Sequence, residues 1–252
     1  MYKIPASTLF LGKNLLFMPE CHSTNTVALE LCHQQSVPEG TLVITNQQTS
    51  GRGQRGTTWE SADAMNLTFS VILKPGFLAV TNQFFLSMIT SLGIHDYLAK
   101  TCDARISIKW PNDILANEFK ISGILIENQL MGQQFTNVVV GIGLNVNQQQ
   151  FASAFATSMA LVSKKLFDLQ EVMEGALSYL EARYLQLRQN KVDELKADYL
   201  KNLYRLQELH RFQSMGQEFE GRITGVDADG KLRVLASGGE KAYGIKEISF
   251  VQ

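Results

Sequence analysis

Segment 137–146, Asn-Val-Val-Val-Gly-Ile-Gly-Leu-Asn-Val, constrains the fold more than any other part of the chain. It lacks the polar alternation of a half-exposed strand. Both faces must be covered, and that places it at the centre of a sheet. Gly141 and Gly143 weaken a strand by themselves, so they mark places where a ligand or another strand comes close to the backbone.

The neighbouring sequence supplies the rest of a mixed α/β unit. Strands are read over 41–45, 66–73, 106–110, 113–116 and 119–127, with turn signals at Lys74-Pro75-Gly76 and Asn117-Glu118. Ser23-Thr24-Asn25 precedes a helical run through Val27, Leu29, Leu31 and Cys32, and its oxygens suit a helix cap. Phe85, Met88, Ile89, Leu92 and Leu98 recur at helical spacing over 82–100. Val172, Met173, Ala176, Leu177, Leu180, Tyr184 and Leu187 form one face of a helix over 170–189, and Leu195, Tyr199 and Leu203 one face over 192–203. These apolar stripes read as core, not as a cofactor box.

After His210 the texture changes. Residues 218–251 are β-rich and punctuated by glycines, with a hairpin signal at Asp227-Ala228-Asp229-Gly230. Three or four short strands at this spacing suggest a small barrel. The expected organisation is one domain over 1–208 and a second over 209–252.

Composition excludes several functions. The 23 Lys+Arg against 24 Asp+Glu leave a formal charge of -1, which is no footprint for bulk nucleic-acid or membrane binding. Cys21, Cys32 and Cys102 have neither disulfide-framework nor zinc-site spacing, and His22, His33, His95 and His210 show no metal spacing. Neither a signal peptide nor a membrane-length apolar run is read in the sequence, so a reducing cytoplasm is the expected location.

Two short segments carry the chemistry. Gly51-Arg52-Gly53-Gln54-Arg55-Gly56, followed by Trp59, offers backbone N–H groups and positive charge suited to a phosphate or nucleotide. Lys109-Trp110-Pro111-Asn112-Asp113, with Lys120 and Gly123 beyond it, adds an aromatic face, an amide, a carboxylate and an amine. Together they suit the activation of a carboxylic acid by ATP. Taken singly, the loop reads as a turn, Trp110-Pro111 as a strand end and Lys120 as a solvated lysine. Co-occurrence lifts them.

In this order and at these spacings the chain resembles the biotin–protein ligases, or biotin–[acetyl-CoA-carboxylase] ligases, over nearly its whole length. The resemblance is carried by Ser23-Thr24-Asn25, by 47–56 with Trp59, and by Lys109-Trp110-Pro111-Asn112-Asp113. Lys120-Ile121-Ser122-Gly123-Ile124-Leu125-Ile126-Glu127 and Gly141-Ile142-Gly143-Leu144-Asn145 continue it. It implies an α/β (α+β) fold: a mixed-sheet catalytic domain of the biotin/lipoate ligase type plus a C-terminal SH3-like β-barrel. The implied reaction is activation of biotin as biotinyl-5′-AMP with release of pyrophosphate, then transfer to a lysine of a biotin carboxyl carrier domain.

By the same resemblance Lys120, Arg52 and Asp113 are the catalytic residues. The biotin-binding residues are Ser23, Thr24, Asn25, Gln48, Gly51, Arg52, Gly53, Gln54, Lys120 and Gly123. Arg55, Trp59, Lys109, Asn112 and Asn145 are the ATP and adenylate residues. Mg²⁺ is implied with ATP, with no direct protein ligand assigned. Two departures stand out. About 20 residues precede Ser23, where repressor members carry a winged helix-turn-helix, so no DNA partner is expected. Gln54 stands where many bacterial members have Arg. A homodimer is compatible with the sequence. So are a lipoate–protein ligase, whose Arg-Arg-x-Ser-Gly-Gly-Gly segment is absent, and a non-catalytic biotin-binding module, against which Lys120 argues.

Overall fold

The computed structural model describes residues 2–34 and 36–251, and of Arg55 the backbone alone. Chain order is β1 (Leu15–Cys21), α1 (Thr24–Gln34), β2 (Leu42–Gln48), β3 (Leu67–Leu73), α2 (Phe84–Thr101), β4 (Ile106–Lys109), β5 (Asp113–Ala116), β6 (Phe119–Met131) and β7 (Gln134–Leu144). There follow α3 (Met159–Ser163), α4 (Leu169–Arg188), α5 (Val192–Lys201), β8 (Leu209–Ser214), β9 (Gln217–Val226), β10 (Leu232–Ala236), β11 (Gly239–Tyr243) and β12 (Ser249–Phe250).

The first seven strands form one sheet in the order β1-β2-β3-β7-β6-β5-β4. Only β1 and β2 run parallel; the other neighbours are antiparallel. The apolar segment is indeed central. In β7, Val138 and Val140 pack with α2 and α4 on one face, while Val139 packs with Val27 and Ala28 of α1 on the other. Cover on both faces is why alternation is lost there.

The second sheet is antiparallel, in the order β11-β10-β9-β8-β12. The turn after β9 is closed by Gly230 N–H donating to Asp227 O at 2.9 Å, with Gly230 at φ +90°. Four of its five strands among the described residues start at Gln217 or later, in line with the three or four read from 218 onward, and β8 precedes them. The additional β8 has Phe212 as its one buried residue, too weak a signal for a period of two. β1 also went unread: it is an edge strand, half exposed, with Pro19 inside it. α3 is too short for a helical period to show.

The two sheets share one hydrophobic core. Phe212, Ile223, Leu232, Val234 and Ile248 belong to the same buried cluster as Phe84, Leu92 and Tyr199. Trp110 Nε1 donates to Gly230 O at 2.9 Å across the junction. Among the described residues no helix is long and apolar enough to cross a membrane.

Candidate active site

The site is built on the middle of the large sheet, where β6 and β7 pair Gly123 with Gly143. A Cβ on Gly143 would run into the indole of Trp59, and one on Gly123 would stand 3.0 Å from that ring. A Cβ on Gly141 would collide with the carboxamide of Asn25. The close approach expected at these glycines is therefore made by two side chains of the protein itself.

Trp59 is delivered by the glycine loop that leaves β2. Gly53 N–H donates to Thr57 O at 2.7 Å, and Trp59 N–H to Gly51 O at 3.0 Å, so the loop doubles back on itself around a 3₁₀ turn at Gln54–Gly56. Gln54 Nε2 donates to Asn112 Oδ1 at 2.9 Å, and Arg52 Nη2 to Glu127 Oε2 at 2.7 Å. These bonds tie the loop to the β4–β5 turn and to β6.

Ser23, Thr24 and Asn25 are buried. The first-turn N–H of Thr24 is capped by Gln48 Oε1 at 2.8 Å, which also accepts from Thr24 Oγ1 at 3.2 Å. The cap thus comes from the neighbouring strand and not from the serine before the helix. Asn25 Nδ2 donates to Glu127 Oε2 at 2.8 Å and to Leu125 O at 3.2 Å, while Ser70 Oγ lies 2.6 Å from Asn25 Oδ1.

Two cavities adjoin here. The first, about 290 Å³, is lined among others by Ser23, Thr24, Asn25, Gln48, Arg52, Gly53, Gln54, Asn112 and Gly123. The second, about 310 Å³, is lined by Lys109 and Asn145 together with Glu60, Glu118 and Phe155. Thr58, Trp59, Asp113 and Lys120 belong to both. In that common wall Lys120 Nζ lies 2.7 Å from Asp113 Oδ1 and 5.9 Å from the centre of the Trp59 ring. Burial pushes the Lys109 ammonium below its ordinary pKa; Asp113 opposes this and Lys120 adds to it.

Three polar atoms of these walls are buried without a hydrogen-bond partner: Trp59 Nε1, Thr68 Oγ1 and Asn145 Oδ1. A buried polar atom without a partner is costly, and three of them mark this region as one not built for stability alone. Asn145 Nδ2, by contrast, is held by Thr157 O at 2.9 Å.

Not every expected residue lines the same cavity as the others of its group. Asn112, read as a nucleotide residue, lines the first cavity and not the second. Gly51 lines neither; it is packed between Gln48 and the Trp59 carbonyl. The side chain of Arg55 lies outside the described residues. The sequence gives no site role to Glu127, Thr68 and Ser70, which the β6 and β3 registers bring here, or to Thr58, which the glycine loop carries. Lys246 is exposed, yet it lines the first cavity from the second sheet, a neighbourhood that no local pattern announces.

Among the described residues no group of three or more His, Cys, Asp or Glu converges as a metal site. Asp113 is the carboxylate common to both cavities. One or two carboxylates suffice for Mg²⁺ that travels with nucleotide phosphates, so the donor set fits such an ion.

Comparison with known proteins adds an independent line. The family described as "Biotin/lipoate A/B protein ligase family" matches residues 17–145. The chain is 31% identical over 247 residues to the bifunctional ligase/repressor BirA of Bacillus spizizenii, covering 96% of this chain and 74% of that protein. It is 31% identical over 215 residues to the biotin–[acetyl-CoA-carboxylase] ligase of Mycobacterium tuberculosis, covering 83% and 79%. Among solved structures, the biotin protein ligase from Aquifex aeolicus in complex with biotin and ATP is similar with a TM-score of 0.79 and 28% identity, over 95% of this chain and 99% of that one.

Proposed function

This chain belongs to the biotin/lipoate A/B protein ligase family, and we propose that its two adjoining cavities carry out ATP-dependent biotin–protein ligation. The observation that carries the site assignment is the Lys120–Asp113 pair in the wall common to both cavities. A carboxylate bound in one and a nucleotide bound in the other would meet at that amine.

In the first step a carboxylate oxygen of biotin attacks the α-phosphorus of ATP. The bond to the bridging oxygen of the β-phosphate breaks, pyrophosphate leaves and biotinyl-5′-AMP forms. In the second, a lysine amine of a carrier domain attacks the anhydride carbonyl, AMP leaves, the amine loses its proton and an amide remains. Neither step needs a covalent enzyme intermediate; both need preorganised charge and positioning.

Ser23, Thr24, Asn25 and Gln48 form the polar end of the first cavity and suit the ureido ring. Buried hydrogen-bonding groups of this kind reject analogues that leave them unpaired. Lys120 neutralises charge between carboxylate and α-phosphate, with Arg52 holding the loop over them through Glu127. Trp59, Lys109 and Asn145 take the nucleotide in the second cavity. Mg²⁺ travelling with ATP would further neutralise the phosphates, and Asp113, the carboxylate common to both cavities, would be the residue to hold it. Asp113 is also the base nearest to Lys120 for the incoming amine. The partner is the carrier domain of a biotin-dependent carboxylase. A cytoplasmic setting suits the three free cysteines.

The test is pyrophosphate release from Mg-ATP without carrier, with biotin and lipoate compared side by side. Release with biotin alone is expected. Release with lipoate alone would reverse the substrate, and silence with both, in folded protein that binds biotin, would leave a binding module.

A further inference from the structure

We infer that Phe250, on the last strand of the second sheet, is a positioning residue that holds the Lys109 ammonium ready for the nucleotide phosphates in the second cavity. The inference rests on the ligase reading above and adds to it a residue from outside both cavities.

Lys109 ends β4 and lines the second cavity. Its Nζ stands 5.0 Å from the centre of the Phe250 ring. The face of an aromatic ring carries negative charge density and attracts an ammonium, more strongly where water is kept away. Lys109 is half-buried, and desolvation there works against its charged form. The π face returns part of the lost solvation without neutralising the charge, which a second carboxylate would do. A cation kept charged suits an anionic triphosphate.

The ring itself is fixed. Its centroid is 5.2 Å from that of Phe212, 5.8 Å from His210 and 5.9 Å from Tyr204. Phe250 pairs with Phe212 across β12 and β8, and Val251 N–H donates to Arg211 O at 3.0 Å. The strand that carries Lys109 is anchored to the chain entering the second sheet. Ile108 N–H donates to Asn202 O and Tyr204 N–H to Ile108 O, both at 2.8 Å. Both ends of the contact are therefore held before any ligand arrives. A lysine stem has large rotamer freedom, and restraining it beforehand lowers the entropy lost on binding.

The test is equilibrium binding of a non-hydrolysable ATP analogue, with biotin present, to the full chain. Phe250→Leu keeps apolar bulk but removes the π face; it should weaken binding of the analogue about three- to tenfold while biotin affinity stays within about twofold. Phe250→Tyr should bind as the unaltered protein does. In a Lys109→Met background Phe250→Leu should have no further effect, since the two residues act as one unit. An equal loss in both backgrounds, or a loss in Phe250→Tyr matching that in Phe250→Leu, would make the role merely structural and overturn the inference. Unchanged analogue binding in Phe250→Leu would also overturn it while leaving the ligase reading intact. Failure of the unaltered protein to release pyrophosphate with biotin would instead remove the reading on which it rests.

Discussion

Lys120 shows how little a single residue says outside its setting. In sequence it is one of 23 basic residues; in the fold it is the amine between two cavities. Its pair with Asp113 is more than a third exposed on both sides, so its contribution to stability is small. Lys120→Ala should lower biotin-dependent pyrophosphate release by about 100-fold or more, the scale of losing one preorganised charge at a reacting centre. The melting temperature, measured on the same protein, should move little. Unaltered turnover would take Lys120 out of the mechanism. The glycines teach the same lesson from the other direction. That something must come close to Gly141 and Gly143 was legible from an apolar strand with two gaps in it. That the gaps hold Asn25 and Trp59 depends on contacts across 116 and 84 positions of chain, beyond the reach of any local pattern.

At the scale of elements, the long helices were legible because their apolar residues repeat at 3.6, whereas β1 and β8 were not because each buries a single side chain. Beside their apolar contacts the helices share a polar link that sequence patterning does not show. Arg183 on α4 bonds Asp96 on α2, Nε to Oδ2 at 2.7 Å, and reaches Asp198 on α5 through Nη1. Burial acts to raise the Asp96 pKa, but hydrogen bonds from His95 and Arg183 outweigh it and hold the carboxyl below its ordinary value of 3.8. A carboxyl with a depressed folded pKa stabilises the fold above its unfolded pKa, and that contribution is lost as pH falls through the folded one. Asp96→Asn should therefore cost about 2 kcal/mol at neutral pH. In urea unfolding at a series of pH values the difference should shrink below pH 4 or so, where the unaltered carboxyl also takes up its proton. A difference independent of pH down to the lowest value reached would deny Asp96 this role.

At the scale of the molecule, residues 1–208 and 209–252 read as two units by texture, yet Phe212 and Ile248 lie in one cluster with Phe84 and Leu92. We propose that the two parts, although distinct in architecture, unfold together. Far-UV circular dichroism, which follows the helices, and tryptophan fluorescence of a Trp59→Phe protein, which follows Trp110 against Gly230, should report one coincident transition. Phe212→Ala should lower both by about 3–5 kcal/mol, the usual cost of deleting a buried Phe. Two separate transitions would show that the second sheet is an independent domain.

By itself, the sequence determined the long helices, the central strand and the motif residues that line the two cavities. Apolar period and short motifs are local properties, and the same residues carry them in any context. Only the tertiary structure decided which side of Trp59 each residue faces: Asn112 with the first cavity, Asn145 and Lys109 with the second, and Lys120 with both. It alone brought Lys246 and Phe250 to the site from the second sheet. The reason is register. A side chain's direction on a strand reverses with each residue, and its neighbours come from strands far off in sequence. Who meets whom is therefore settled by the pairing of β6 with β7 and by the packing of one sheet on the other.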